Sequence, residues 1–331
     1  MANIHLTLAM DEYDHTRDLL QGKVNAEGID LTWLNLDVEE IFYRFASAFE
    51  WDVSELSFAK YCSIMSQPNP PITGIPVFVS RVFRHSAWYV AAGGAVRAVA
   101  DLAGKRIGIP EWSQTATVYA RGWLAEDAGI PLDGVEWVQA GVNEPGRIEL
   151  AHLKLPEGIS YRQVPDRSLT EMLLAGDIDA LVSARPPRAF LDGGERIVRL
   201  IPDYRTQEQD YFRRTGIYPI MHTVAIRRDT YDRHPWIAMN LLNGFEAAKK
   251  RSVARLTSVT HSQIPVPWIY DSVPELGAEI FPGGDYWPYG IEPNRPTIEA
   301  FLRFCHDQGL CHRRLEPEDL YPAEVQSVFR V

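Results

Sequence analysis

Cysteine is scarce. The 331 residues hold three, Cys62, Cys305 and Cys311, at spacings that suit no disulfide framework, so reduced thiols in a cytoplasmic protein are expected. The stretch from Cys305-His306 to Cys311-His312 lacks the paired spacing of zinc modules. It overlaps an apolar repeat, Ile298, Phe301, Leu302 and Cys305, that stops at Gly309, so a helix end is expected there and no metal. Lys and Arg form no basic run and the net charge is -11, which argues against nucleic acid or an anionic membrane as partner. No segment approaches the roughly 18 consecutive apolar residues of a membrane span. The first residues, Met1 to Leu8, lack a basic start, a long apolar core and a small-residue cleavage site, so no secretory signal is expected. Also missing are a phosphate-binding glycine loop, a dinucleotide fingerprint, a nucleophile elbow and a His-Glu-x-x-His helix.

What is present is an ordinary globular composition, 46 % hydrophobic and 23 % charged, in a chain long enough for two compact units of about 100–200 residues each. Residues 4–9, apolar and weakly alternating, residues 28–34, and residues 52–57, which end in a polar turn, read as strands, each followed by a helical pattern. Further strands are expected at 76–80, 86–92, 107–110, 135–138, 160–163, 178–182 and 219–226, with helices at 115–124, 169–174 and 236–248 between them or after them. Such alternation predicts an α/β fold whose sheets are covered on both faces. The order of units predicts a discontinuous first lobe, residues 1–93 plus 218–331, with a second lobe, 94–217, inserted into it. A ligand is then expected in an interlobe cleft, at strand ends and helix N-termini.

Three kinds of residue could carry chemistry. Ser113-Gln114-Thr115-Ala116-Thr117 opens a helix, where unpaired amides and hydroxyls suit a carboxylate; an ordinary helix cap has the same composition. Arg81 and Arg84 precede a strand, Arg147 lies in Asn143-Glu144-Pro145-Gly146-Arg147, and Arg185 follows an apolar strand and precedes two prolines. A guanidinium holds a carboxylate through two parallel hydrogen bonds, although a lone arginine is more often a solvated surface charge. His85 and His222 sit beside or within the two segments expected to cross between lobes, and an imidazole exchanges protons near neutral pH. Asp11, Glu12 and Tyr13, after the first strand, could bond to ligand hydroxyls. The nine tryptophans are mostly core, with Trp287 and Tyr289 as candidates to cover a planar ligand.

The ordered set Gly104-Lys105-Arg106-Ile107-Gly108-Ile109-Pro110-Glu111 with Thr115-Ala116, Pro145-Gly146-Arg147, Gly176-Asp177-Ile178-Asp179-Ala180-Leu181 with Arg185-Pro186-Pro187, and Tyr218-Pro219-Ile220-Met221-His222 resembles the 4,5-dihydroxyphthalate decarboxylase family. The resemblance runs over most of the chain. It implies a type 2 periplasmic-binding-protein-like fold adapted to cytoplasmic catalysis, and non-oxidative removal of carbon dioxide from a hydroxylated aromatic acid without an organic cofactor. A small aromatic carboxylate is the expected partner, in a homo-oligomer that binds neither nucleic acid nor membrane.

In that reading His222 is the general acid for the ring carbon, with His85 as alternate. Arg81, Arg147, Arg185, Ser113, Thr115 and Ala116 hold carboxylates, and Asp11, Glu12 or Tyr13 orient the hydroxyls. A solute-binding protein for a small carboxylate would share the fold and need no proton donor. A ligand-sensing regulatory domain is disfavoured, since no helix-turn-helix unit precedes the first strand.

Overall fold

The computed structural model describes residues 2–327 apart from 194, 259, 261–262, 280 and 282–284. The chain divides into two units: residues 1–81, 220–299 and 315–331 form the first, and 82–219 with 300–314 the second.

In the first unit β1 (Ile4–Ala9), α1 (Asp14–Leu20), β2 (Ile29–Leu34), α2 (Val38–Ala48), β3 (Val53–Ser57), α3 (Phe58–Met65) and β4 (Ile72–Arg81) alternate. The sheet order is β2-β1-β3 followed by β11 (Ile220–Arg227) and β4, with β1 parallel to both neighbours and β11 antiparallel to its own. Helix α2 starts where the Asp37 side chain accepts the Glu39 amide at 2.8 Å, and stops at Phe49, whose φ of 49° leaves the helical region. Every residue of β3 is buried, as a central strand requires. Helices α8 (Arg228–Arg233), α9 (Ile237–Leu256) and α10 (Ile269–Glu279) follow β11. Because α1 leads from β1 outward to β2, while β3 lies on the opposite side of β1, the strand order reverses between β1 and β3. The carboxyl ends of strands at such a reversal leave a crevice.

The second unit holds β5 (Trp88–Ala91), β6 (Arg106–Ile109), α4 (Thr115–Glu126), β7 (Glu136–Gly141), β8 (Ser160–Ser168), α5 (Leu169–Ala175), β9 (Ala180–Val182), α6 (Arg188–Leu191), β10 (Ile197–Arg199) and α7 (Tyr204–Thr215). Its sheet order is β10-β5-β9-β6-β7-β8, and the reversal falls between β6 and β9. The segment 176–182 is scaffold. Gly176, at φ 77°, ends α5 in the left-handed conformation that glycine tolerates, and Ile178 is buried under the sheet. The Asp179 carboxylate accepts the Arg106 Nε and Nη2 hydrogens at 2.9 Å, which ties β9 to β6. Trp88, Trp112 and Trp137 are fully buried in this unit.

Two boundaries differ from expectation. The chain changes unit at residues 81/82 and not at 93/94, because β5 pairs with β9 and β10 and so belongs to the second sheet. Residues 300–314, expected in the first unit, join the second. The helix α11 (Arg295–Asp307) carries Phe301, which stacks on Tyr119 at 4.5 Å, and Gln308 beyond its end accepts from Arg121. The helix closes before Gly309, whose φ is 73°, and Cys305 and Cys311 are buried around that turn.

Candidate active site

Glu55 lies opposite Val224 in the β3–β11 register, and His222 lies opposite Ser57. The two are therefore diagonal neighbours on one sheet face, a spacing that long side chains close. His222 Nδ1 stands 2.7 Å from Glu55 Oε1; the imidazole keeps 19 % exposure while the carboxylate has none. Tyr13, the residue before α1, donates its hydroxyl to the same oxygen at 2.6 Å, and the Asp11 amide donates to Oε2 at 3.0 Å. Burial, followed by the neighbouring Glu55 charge, pushes the Tyr13 phenol well above its ordinary range, so it keeps its proton and acts as a donor. Phe42, from α2, meets the imidazole edge-on at 4.8 Å. Among the described residues His222 Nε2 has no hydrogen-bond partner. The group is thus a buried carboxylate, a phenol and a partly exposed imidazole with one ring nitrogen open, at the carboxyl ends of β1 and β3 where the strand order reverses.

Of the acidic turn, Asp11 and Tyr13 belong to this cluster. Glu12 does not: it is exposed and accepts from Gln21. Arg81 is buried, with Nη2 donating to the Pro288 carbonyl at 2.8 Å and to Asn294, and its guanidinium lies 5.1 Å from the Phe78 ring. Those bonds fasten β4 to the segment before α11. Trp287 donates its indole N–H to the Phe78 carbonyl at 2.6 Å, and Tyr289 is buried, so both pack within the unit.

In the second unit the turn after β6 already holds a carboxylate, that of Glu149. Ser113 gives Glu149 its amide at 2.9 Å and its hydroxyl at 2.6 Å. Arg147 is paired with Glu111, Nη2 to Oε1 at 2.7 Å. Thr115 and Ala116 are buried in the first turn of α4, and Gln114 accepts the Ala184 amide at 3.2 Å, joining this turn to the exit of β9. Arg185 follows on that exit and is exposed.

His85 occupies a different setting. It is buried with Arg84, Tyr119, Trp123, Tyr211 and Pro219 around a small cavity, its ring 4.9 Å from Trp123 and 5.2 Å from Tyr211. Among the described residues Nδ1 has no hydrogen-bond partner, and it stands 4.0 Å from Glu208. Burial pushes the imidazole down to about 4, so it is neutral at pH 7. Below the unfolded-state value near 6.5 the unfolded chain binds a proton that the folded chain refuses. Stability is therefore present above about pH 6.5 and lost as pH falls toward 4, by up to about 3 kcal/mol from this residue. Urea titrations across this window are expected to show a shallower acid loss for His85→Phe than for the native protein. Equal slopes would refute the assignment.

These two α/β units have the type 2 periplasmic-binding-protein fold. Solved structures of alkanesulfonate-binding SsuA from Xanthomonas axonopodis pv. citri (TM-score 0.53, 12 % identity, 97 % of this chain and 99 % of that one) and of the aliphatic sulphonate binding protein SsuA from Escherichia coli (TM-score 0.52, 12 % identity, 96 % and 97 %) share it. No family model matches the chain. Its sequence is 36 % identical over 329 residues to the 4,5-dihydroxyphthalate decarboxylase of Comamonas testosteroni, covering 99 % of each chain. It is also 36 % identical over 214 residues to that of Pseudomonas putida, covering 64 % of this chain and 83 % of the relative. The chain belongs to the 4,5-dihydroxyphthalate decarboxylase family, and it is a carboxy-lyase on a binding-protein fold.

Glu55 is the functional candidate that local sequence reading passes over. The available signal was an acidic residue in the middle of a short expected strand, between Ser54 and Leu56, where a carboxylate that becomes buried stays only if something bonds to it.

Proposed function

We propose that this protein converts 4,5-dihydroxyphthalate to protocatechuate and carbon dioxide, with His222 as the proton donor. Direct loss of carbon dioxide from an aryl carboxylate would leave an unstabilised aryl anion. Each carboxylate of this substrate is para to a hydroxyl. Ionising that hydroxyl moves electron density onto the carbon that bears the carboxylate. His222 Nε2–H then protonates this carbon, giving a dienone, and cleavage of the carbon–carboxylate bond returns the electron pair to the ring and so regenerates the phenolate, which takes back the proton lost on ionisation. The net change is one proton consumed and one carbon dioxide released. The ring itself takes up the electron pair, so the route asks for no organic cofactor. Asp11, beside the Glu55 oxygen that its amide holds, is assigned to the substrate's hydroxyls.

The observation that carries the assignment is the open Nε2 on an imidazole whose other nitrogen is engaged by a buried carboxylate. A group meant only to bind a carboxylate has no need of that second partner. His85, neutral down to about pH 4, makes a poor acid at neutral pH. We further assign the protein to the cytoplasm, which suits its three buried thiols.

The test is incubation of the purified protein with 4,5-dihydroxyphthalate in deuterated water. Carbon dioxide and protocatechuate bearing one deuterium at the vacated ring carbon are expected. Saturable binding of the acid with no gas released would make the protein a solute-binding one instead.

A further inference from the structure

We infer that Glu55 is the positioning residue of this site, holding His222 as the Nδ1–H form so that Nε2 is the atom that gives and regains the proton. The inference rests on the proposed role of His222. It is carried by the juxtaposition of a fully buried carboxylate, a phenol and an imidazole supplied by three separate segments: the turn after β1, β3 and β11.

Glu55 accepts three hydrogen bonds, from His222 Nδ1, the Tyr13 hydroxyl and the Asp11 amide. Among the described residues no lysine or arginine pairs with it; its one ion-pairing partner is His222. A buried carboxylate without a fixed cation is costly to keep, and removing it in favour of an apolar side chain would ordinarily stabilise a strand. Its retention makes sense if the cation it serves comes and goes. An ionised carboxylate accepts and cannot donate, so the ring nitrogen facing it must carry the hydrogen. The other nitrogen is then left with a lone pair, which takes a proton from solvent and delivers it to the ring carbon. During that interval the imidazolium faces Glu55, as the buried aspartate of a Ser-His-Asp triad faces its histidine. Tyr13 cannot substitute in this role, because a protonated phenol could accept from Nδ1 only weakly and supplies no charge.

Glu55→Gln removes the charge and keeps the shape. It also allows an amide N–H to face Nδ1, which favours the wrong tautomer. The expected result is a fall in kcat of about 10²–10⁴-fold with KM little changed. In the double variant Glu55→Gln/His222→Ala turnover should fall no further than in His222→Ala alone. Nitrogen-15 histidine spectra of the native protein, taken where the ring is neutral, should show His222 protonated at Nδ1; this measurement needs no variant and decides the matter if Glu55→Gln does not fold. A neutral His222 protonated at Nε2, or a folded Glu55→Gln with native kcat while His222→Ala is inactive, overturns the role of Glu55 and leaves that of His222 standing. Native turnover by His222→Ala removes the reading on which both depend.

Discussion

With His222 replaced by alanine, kcat for carbon dioxide release is expected to fall about 10²–10⁴-fold, the contribution typical of a positioned acid, while the substrate still binds. The fold should survive the change. His222 is the third residue of β11, keeps 19 % exposure, and packs by one edge against Phe42. Its loss does not orphan Glu55, because the Asp11 amide and the Tyr13 hydroxyl still donate to the carboxylate. Binding by calorimetry and turnover by gas release therefore separate a proton donor from a binding group. Near-native turnover would end the proton-donor assignment. Equal losses in binding and turnover would make His222 a ligand of the substrate. Added imidazole is expected to restore part of the activity, since the space beside Glu55 then admits a soluble acid in the same orientation.

Much of the scaffold was legible because it is written in local pattern. The alternation in β1 and the apolar runs of β5, β9 and β11 marked strands within a few residues of where they lie. The helix end before Gly309 followed from a residue that tolerates positive φ, and the helix expected at 169–174 lies within a residue of α5, which Gly176 ends in the same way. Sheet membership was not legible. Whether β5 pairs with β4 or with β9 and β10 depends on partners about 90 to 110 residues away, and nothing in Trp88–Ala91 itself records that choice. The same reason hid Glu55. Its partner lies 167 residues along the chain, and only the β3–β11 register puts the two on one face. Arg81 and Arg147 show the converse. Their positions before and after strands suggested ligand contact, yet each is engaged inside its own unit, Arg81 with Pro288 and Asn294, Arg147 with Glu111. Sequence supplies a guanidinium's charge but not the acceptor it meets.

The turn that presents Ser113 owes its shape to a buried arginine, and Arg121→Ala is expected to destabilise the protein by about 3–5 kcal/mol, in the range of the largest core truncations. Arg121 is fully buried in α4. Its Nε donates to Gln308 Oε1 at 2.8 Å and its Nη2 to the Trp112 carbonyl at 2.6 Å, and the guanidinium lies 3.9 Å from the Trp112 ring centroid. Among the described residues no carboxylate pairs with it, and Nη1 has no partner. Burial pushes it down to about 9, so it still carries its charge at neutral pH. Truncation to alanine opens a cavity, removes the contact with the indole and leaves two buried acceptors without donors. Arg121→Met fills most of the space and also relieves the cost of burying a charge, leaving chiefly the two orphaned acceptors, about 1–3 kcal/mol. Urea unfolding followed by tryptophan fluorescence, to which Trp112 and Trp137 contribute from beside this site, should rank the native protein above Arg121→Met and that above Arg121→Ala. If methionine costs as much as alanine, the hydrogen bonds and not the packing hold the turn. If neither costs more than about 1 kcal/mol, Arg121 is no keystone of α4, and the Glu111–Ser113 turn stands without it.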